Sequence, residues 1–216
     1  MKQTILLTGF APFGGENINP SWQAVQQLQG WQADDETEVQ AIELPCVFGL
    51  SLEKLYEAIN QFNPVLVIAV GQAGGRTAIS LEKVAINYQD ARIADNAGNQ
   101  PLGEPVIAGA PTAYFSSLPL KAIVQNLRQQ GIPAEISYSA GTFVCNHVFY
   151  GLMQALAATP KVRAGFIHIP YLPAQAARLS GAASMTTELV VVALKQTVQL
   201  SLLQQPDILL AEGTLD

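Results

Sequence analysis

The run Val65-Leu66-Val67-Ile68-Ala69-Val70 constrains this chain most. Six consecutive apolar residues leave no polar face, so a strand made of them must be covered on both sides. Asn63-Pro64 precedes the run and Gly71 closes it, which sets its length to that of a strand. Residues 4–8 read the same way before Gly9, and so do 161–168, which contain Val162, Ala164, Phe166 and Ile167. Residues 134–138 form a further strand, and 38–44 alternate as a half-buried one ended by Pro45. Helical stretches lie between them. Asn19-Pro20 opens one that runs to about Leu28 and stops near Gly30. Leu52, Leu55, Tyr56, Ile59 and Phe62 mark a second, with Ser51 as its cap. Residues 120–130 give a third, closed by Gly131, and 184–203 a last one. Residues 79–88 have extended character, 95–105 read as an exposed polar loop, and 106–108 open a short strand. Helices and strands alternate throughout, which indicates a three-layer α/β/α sandwich around a mostly parallel, mixed, twisted sheet. No repeat or linker divides the chain, so residues 1–216 are read as a single domain.

In such sheets a ligand lies beyond the carboxyl ends of the strands. The loops at Gly9, Gly71, Gly141 and His168 all follow strands and gather at one edge if those strands run parallel. Composition narrows what could bind there. A net charge of −6 offers no basic cluster for nucleic acid. No stretch of 18 apolar residues is available to span a membrane. The opening residues 1–9 invite a signal-peptide reading, but their apolar run is short and lacks a cleavage site, so a first strand explains them better. Two cysteines in 216 residues make no disulfide framework, and with two histidines they lack zinc-type spacing, so no metal is expected. These features favour a reducing compartment, the cytoplasm. With only 13% of residues charged, some apolar surface is left for partner subunits, a hint of a homo-oligomer.

Chemistry centres on Ser139-Ala140-Gly141-Thr142-Phe143-Val144-Cys145-Asn146-His147, where a strand gives way to a helix whose apolar positions are Phe149, Leu152, Met153 and Leu156. Cys145 falls in the first turn, where unpaired N–H groups and the helix dipole favour a thiolate. A nucleophilic cysteine needs a base within hydrogen-bond reach. His147 stands about 200° round the helix from the thiol, so His168, closing a buried strand, is the better partner. The competing reading of His168 is a core histidine satisfied by backbone. Glu82, set among apolar residues, is the candidate to orient the imidazole; it also reads as an exposed residue of an edge strand, paired with Lys83. Cys46 is read as a buried structural thiol. Phe10, Phe13, Phe143 and Val144 can line a small apolar pocket, although each singly reads as core. The loop Gly71-Gln72-Ala73-Gly74-Gly75 can offer backbone groups to a small polar ligand; it is neither a dinucleotide fingerprint nor a P-loop.

Residues 71–87, with Gly71-Gln72-Ala73-Gly74-Gly75-Arg76 and Ile79-Ser80-Leu81-Glu82-Lys83-Val84-Ala85-Ile86-Asn87, resemble the glutamate signature of the pyroglutamyl peptidase I family. Residues 139–150 resemble its cysteine signature. Residues 9–15, Asn19-Pro20-Ser21 and 166–171 match in order and placement, so the resemblance covers essentially the whole chain. It implies a cytosolic, homotetrameric cysteine exopeptidase that removes N-terminal pyroglutamyl residues with a triad of Cys145, His168 and Glu82 and no cofactor. It further implies that the lactam packs against Phe10, Phe13 and Phe143 beside Val144. Backbone at Gln72 then meets the lactam polar atoms, with Asn19 and Arg92 in supporting roles and Cys46 close to the pocket. A glutamine amidotransferase is the enzymatic alternative, but Gly141 and Asn146-His147 flank Cys145 where its G-x-C-x-G elbow would lie. An inactive ligand-binding relative is the non-enzymatic one.

Overall fold

The computed structural model describes residues 2–213. Its strands are β1 (Gln3–Phe10), β2 (Thr37–Leu44), β3 (Leu66–Gln72), β4 (Ile79–Glu82), β5 (Val84–Ile86), β6 (Ala113–Phe115), β7 (Ala134–Ser137) and β8 (Arg163–Ile169). The helices are α1 (Pro20–Val25), prolonged by a 3-10 turn (Gln26–Leu28), α2 (Leu50–Phe62), α3 (Leu120–Gln129), α4 (Val144–Ala155), α5 (Pro173–Ala176) and α6 (Thr187–Leu202). Six strands form one sheet in the order β2-β1-β3-β8-β4-β7. The first four are mutually parallel; β4 runs antiparallel to β8, and β7 follows the direction of β4. The sheet is therefore mixed, and β8, the last strand in the chain, lies between β3 and β4.

Successive strand residues point to opposite faces. Ile5, Leu7, Ile68, Val70 and Ile167 lie on one side, in the cluster that α1, α3 and α6 supply. Leu6, Val67, Ala69, Ala164 and Phe166 lie on the other, with α2 and α4. Both sides are dry, which is why β3 carries no polar residue before Gln72. Helix ends follow local chemistry. Asn19 caps α1 with its side-chain oxygen on Ser21 N, and Pro20 takes the first helical position. Asn63, left-handed at φ 43°, ends α2, and Gly131 at φ 74° follows α3.

Three local readings are corrected. Ser51 does not cap α2: the helix starts from Gly49, whose carbonyl takes Leu52 N and Glu53 N, and the buried Ser51 hydroxyl has no partner among the described residues. Residues 106–108 make a turn rather than a strand, because the Asn87 side chain takes Ile107 N and donates to the carbonyls of Ile107 and Ala110. The extended stretch 79–88 is split at Lys83, so that β4 joins the main sheet while β5 pairs with β6 in a two-stranded one. The expected gathering of loops also fails in part. β7 runs against β8, so the chain needs residues 138–143 to bring Cys145 back over the sheet.

Candidate active site

The antiparallel β4–β8 register sets Glu82 opposite Phe166 and Ser80 opposite His168. Glu82 and His168 are thus diagonal neighbours on one face, within reach of each other's side chains. Glu82 Oε1 lies 2.7 Å from His168 Nδ1. An ionised carboxylate only accepts, so the proton is on Nδ1 and Nε2 is left with a free lone pair. Glu82 is wholly buried, and it is not on an edge strand; the exposed alternative is excluded. Lys83, its sequence neighbour, points instead over the Phe115 ring. Arg76 Nη1 is 3.0 Å from the same Oε1, while Oε2 has no partner among the described residues. Burial pushes the His168 imidazolium down, and the Glu82 bond and charge offset only part of that, so its pKa lies below the ordinary histidine value.

Cys145 is the second residue of α4, in its first turn. Phe143 precedes the helix with extended backbone and no side-chain cap, which leaves the first-turn N–H groups free. The sulfur rests on β3 at Gly71, where a side chain would collide: an added β-carbon would sit 2.9 Å from Cys145 Sγ. Gly71 pairs with His168 in the β3–β8 register, so the thiol lies over the strand position beside the imidazole. Cys145 is half-buried, open on one side. The expected resting thiolate is not supported: burial pushes the thiol pKa up, with Cys46 and Glu82 adding to the rise and Arg76 opposing it. His147 is engaged elsewhere. Gly49 N donates to its Nε2 at 3.0 Å, its Nδ1 lies 2.9 Å from Gln89 Oε1, and burial lowers its pKa to about 4.

Around the sulfur, Phe10 is wholly buried with its ring 6.3 Å from that of Phe166, and Val144 is buried in the same cluster. Phe13 and Phe143 are half-buried, with centroids 6.5 Å apart and planes tilted by 40°. Phe48, which sequence reasoning missed, meets Phe143 edge-on at 5.3 Å and His147 at 5.3 Å. Gln72 ends β3 next to Gly71, and its side-chain oxygen accepts from Gln175 Nε2 at 3.3 Å. Asn19 donates to Ala11 O at 3.1 Å and accepts from Ser21 N and Oγ, so it shapes the turn between Phe10 and α1. Arg92 is exposed and makes no side-chain hydrogen bond or ion pair with a described residue. Cys46 is buried as expected, its pKa pushed up to about 12 by burial and then by Asp95.

Asp95 ties this wall together: its own turn is local, but its bond to Phe48 N is not written in the local sequence. Its Oδ2 accepts from Phe48 N and Asn99 Nδ2, and its Oδ1 from Ala97 N and Asn99 N. Asn96 adds bonds from its amide nitrogens to Cys46 O and Pro12 O. Among the described residues no group of three or more His, Cys, Asp or Glu side chains could hold a metal ion. Among the described residues no helix is long and apolar enough to cross a membrane. A thiol, an imidazole and a buried carboxylate, beside an apolar wall at an open helix N-terminus, can carry acyl transfer.

The family model for pyroglutamyl peptidase matches residues 3–204. A pyrrolidone-carboxylate peptidase of Pectobacterium carotovorum is 56% identical over 214 residues, 99% of each chain. Pyrrolidone-carboxylate peptidase 2 of Photorhabdus laumondii is 55% identical over 96% of this chain and 95% of its own length. The crystal structure of pyroglutamyl peptidase I from Bacillus amyloliquefaciens superposes with a TM-score of 0.93 at 47% identity, over 98% of this chain and 100% of that one. Pyrrolidone carboxyl peptidase from Thermococcus litoralis gives 0.92 at 36% identity, over 97% and 99%.

Proposed function

The chain belongs to the pyroglutamyl peptidase family, and from that premise we propose that Cys145, His168 and Glu82 carry the reaction. It acts as a cysteine exopeptidase on the amide bond after an N-terminal pyroglutamyl residue, through a thioester. Such a substrate has no free α-amine to grip, so its site should be apolar with a few fixed polar groups. Phe10, Phe13, Phe143 and Val144 supply the apolar part for the lactam, and backbone at Gln72 meets its polar atoms. Asn19 acts through the turn it holds, and Arg92 acts from the rim.

Because burial favours the neutral thiol and the neutral imidazole, the thiolate arises on attack. His168 Nε2 takes the Cys145 proton as sulfur bonds to the pyroglutamyl carbonyl carbon. First-turn N–H groups of α4 hold the developing oxyanion. The imidazolium then protonates the departing amine as the C–N bond breaks, leaving the thioester. Water, deprotonated by His168, hydrolyses it and returns the proton to sulfur. Glu82 keeps Nδ1 protonated throughout and stabilises the imidazolium. Sulfur, imidazole and water suffice for this sequence, so no cofactor is invoked.

The observation that carries the reading is the 2.7 Å Glu82–His168 bond in the strand beside Gly71, against which the sulfur rests. The test is hydrolysis of a pyroglutamyl chromogenic amide. Cys145→Ser and His168→Gln should abolish turnover and His147→Gln should retain it; undiminished turnover by Cys145→Ser refutes the assignment. We further place the protein in the cytoplasm as a homotetramer of single catalytic domains spanning 1–216. Two free thiols and the exposed Leu102 and Phe115 support this. Light scattering should return four times the 23.1 kDa of one chain.

A further inference from the structure

Arg76 lies in the connection between β3 and β4, and its guanidinium makes two contacts, an ion pair and a hydrogen bond. Nη1 is 3.0 Å from Glu82 Oε1, and Nη2 donates to Ser139 O at 3.0 Å. The ion pair falls on Oε1, the oxygen that also meets His168, while the buried Oε2 has no partner among the described residues. All the charge compensation of a wholly buried carboxylate thus arrives on the oxygen that faces His168. The hydrogen bond reaches residues 138–143, which carry the chain from β7 to Cys145. The segment's other bonds are short-range or at its ends: Ser137 Oγ donates to Ser139 O at 3.2 Å and accepts from Ser139 N at 3.4 Å, Tyr138 OH donates to Glu212 O at 3.3 Å, Gly141 N donates to Ser139 Oγ at 3.2 Å, and Thr142 exchanges bonds with Asp90, so Arg76 is the tie from Ser139 to Glu82. We propose that Arg76 is a positioning residue of the reaction: it holds the Glu82 carboxylate on His168 and, through Ser139, fixes the segment that delivers Cys145. Base and nucleophile are thereby registered to each other by one side chain. The inference rests on the triad reading above.

A guanidinium suits the task where an ammonium does not, because its rigid fork presents separate nitrogens to a carboxylate and to a carbonyl. The ionisable groups facing His168 are Glu82 from β4, Arg76 from the connection and Cys145 from α4; its β4 partner Ser80 is uncharged. Glu82 favours the imidazolium and Arg76 opposes it. Removing Arg76 therefore has a sign that loss of packing alone lacks.

The experiment measures kcat, KM and the pH profile of kcat/KM on a pyroglutamyl chromogenic amide for wild type, Arg76→Lys and Arg76→Ala. Arg76→Ala should lose roughly 10- to 100-fold in kcat, since small misplacements of catalytic groups cost that much, with KM nearly unchanged. Its acid limb should move to higher pH, and added ethylguanidinium should restore part of kcat. Arg76→Lys should keep the limb near wild type while remaining slower. A wild-type kcat and limb in Arg76→Ala overturn the proposal. So does a slower enzyme whose limb is unmoved and which ethylguanidinium does not rescue. Should Arg76→Ala fail to fold, a wild-type kcat in Arg76→Lys overturns it in the same way, and a slowed kcat with an unmoved limb supports it. Parallel Cys145→Ser and His168→Gln enzymes separate the two readings: if either retains turnover, the triad fails; if both are dead, a negative Arg76 result removes this inference alone.

Discussion

The β-carbon that Gly71 lacks would stand 2.9 Å from Cys145 Sγ and 2.9 Å from the Phe166 ring. Its backbone dihedrals are ordinary, so closeness alone demands glycine. Gly71→Ala should therefore push the sulfur off the strand. Turnover should fall roughly 100-fold, and unfolding stability by about 1–3 kcal/mol. Kinetics and urea midpoints check this; an alanine enzyme within a factor of two of wild type defeats it.

Glu82→Gln keeps shape and removes charge. The imidazole loses its charged acceptor, and an amide that turns its NH2 to the ring would favour the wrong tautomer, so kcat should drop on the order of 10²- to 10⁴-fold. The Glu82 bond and charge raise the His168 pKa against burial. Without them the acid limb of kcat/KM should shift to lower pH, opposite to the shift expected for Arg76→Ala. A limb that moves upward contradicts the assignment.

His147 ties pH to stability. Its folded pKa of about 4 lies below its unfolded value near 6.5, because burial disfavours the charged ring. The unfolded chain then binds more protons between those values, so stability falls as pH drops from about 6.5 to about 4. The contribution is at most on the order of 3 kcal/mol, 1.36 kcal/mol for each unit. His147→Gln should be less stable at pH 7, where Gly49 N loses its imidazole acceptor, yet should lose less than wild type on acidification. Urea titrations at pH 7 and pH 4.5 decide the point: equal acid losses in both proteins rule it out.

Asp95→Asn replaces two accepting oxygens by one. Some of the four donors from Phe48, Ala97 and Asn99 lose their partner, and the Phe48–Phe143 wall should loosen. Substrate binding should suffer before chemistry, with KM rising several-fold and kcat nearly kept. Burial pushes the Asp95 carboxyl up, but these bonds outweigh it and hold the pKa below the usual 3.8. The stability they give is present above the unfolded pKa and lost as pH falls through the folded one. A fall in kcat with KM unchanged would place Asp95 in the chemistry instead.

Much of this was readable from short-range pattern. Val65 to Val70 announced a doubly covered strand because every residue in it is apolar. Cys145 announced a helix start because Phe149, Leu152, Met153 and Leu156 repeat after it. Glu82 stayed ambiguous because its burial depends on a strand 86 residues away running antiparallel beside it, which no local period records. The links from Arg76 to Ser139, from Phe48 to Phe143 and from Asp95 to Phe48 are hidden for the same reason, since each joins residues far apart in sequence. Ser51 reads as a cap because a capping residue type two positions inside the helix looks the same in a linear chain. The burial that pushes the Cys145 thiol up is not legible either, because it is made by residues the fold brings together.

β8 reaches its place last in the chain yet fills the middle of the sheet, between β3 and β4. Without it, those two strands would present bare edges, and Glu82 and Gly71 would have no imidazole between them. Closing the sheet and completing the triad are thus one event, made of contacts far apart in sequence and correspondingly slow to form. A chain paused before that insertion is inert as a peptidase, so appearance of turnover during refolding is a clock for the sheet itself.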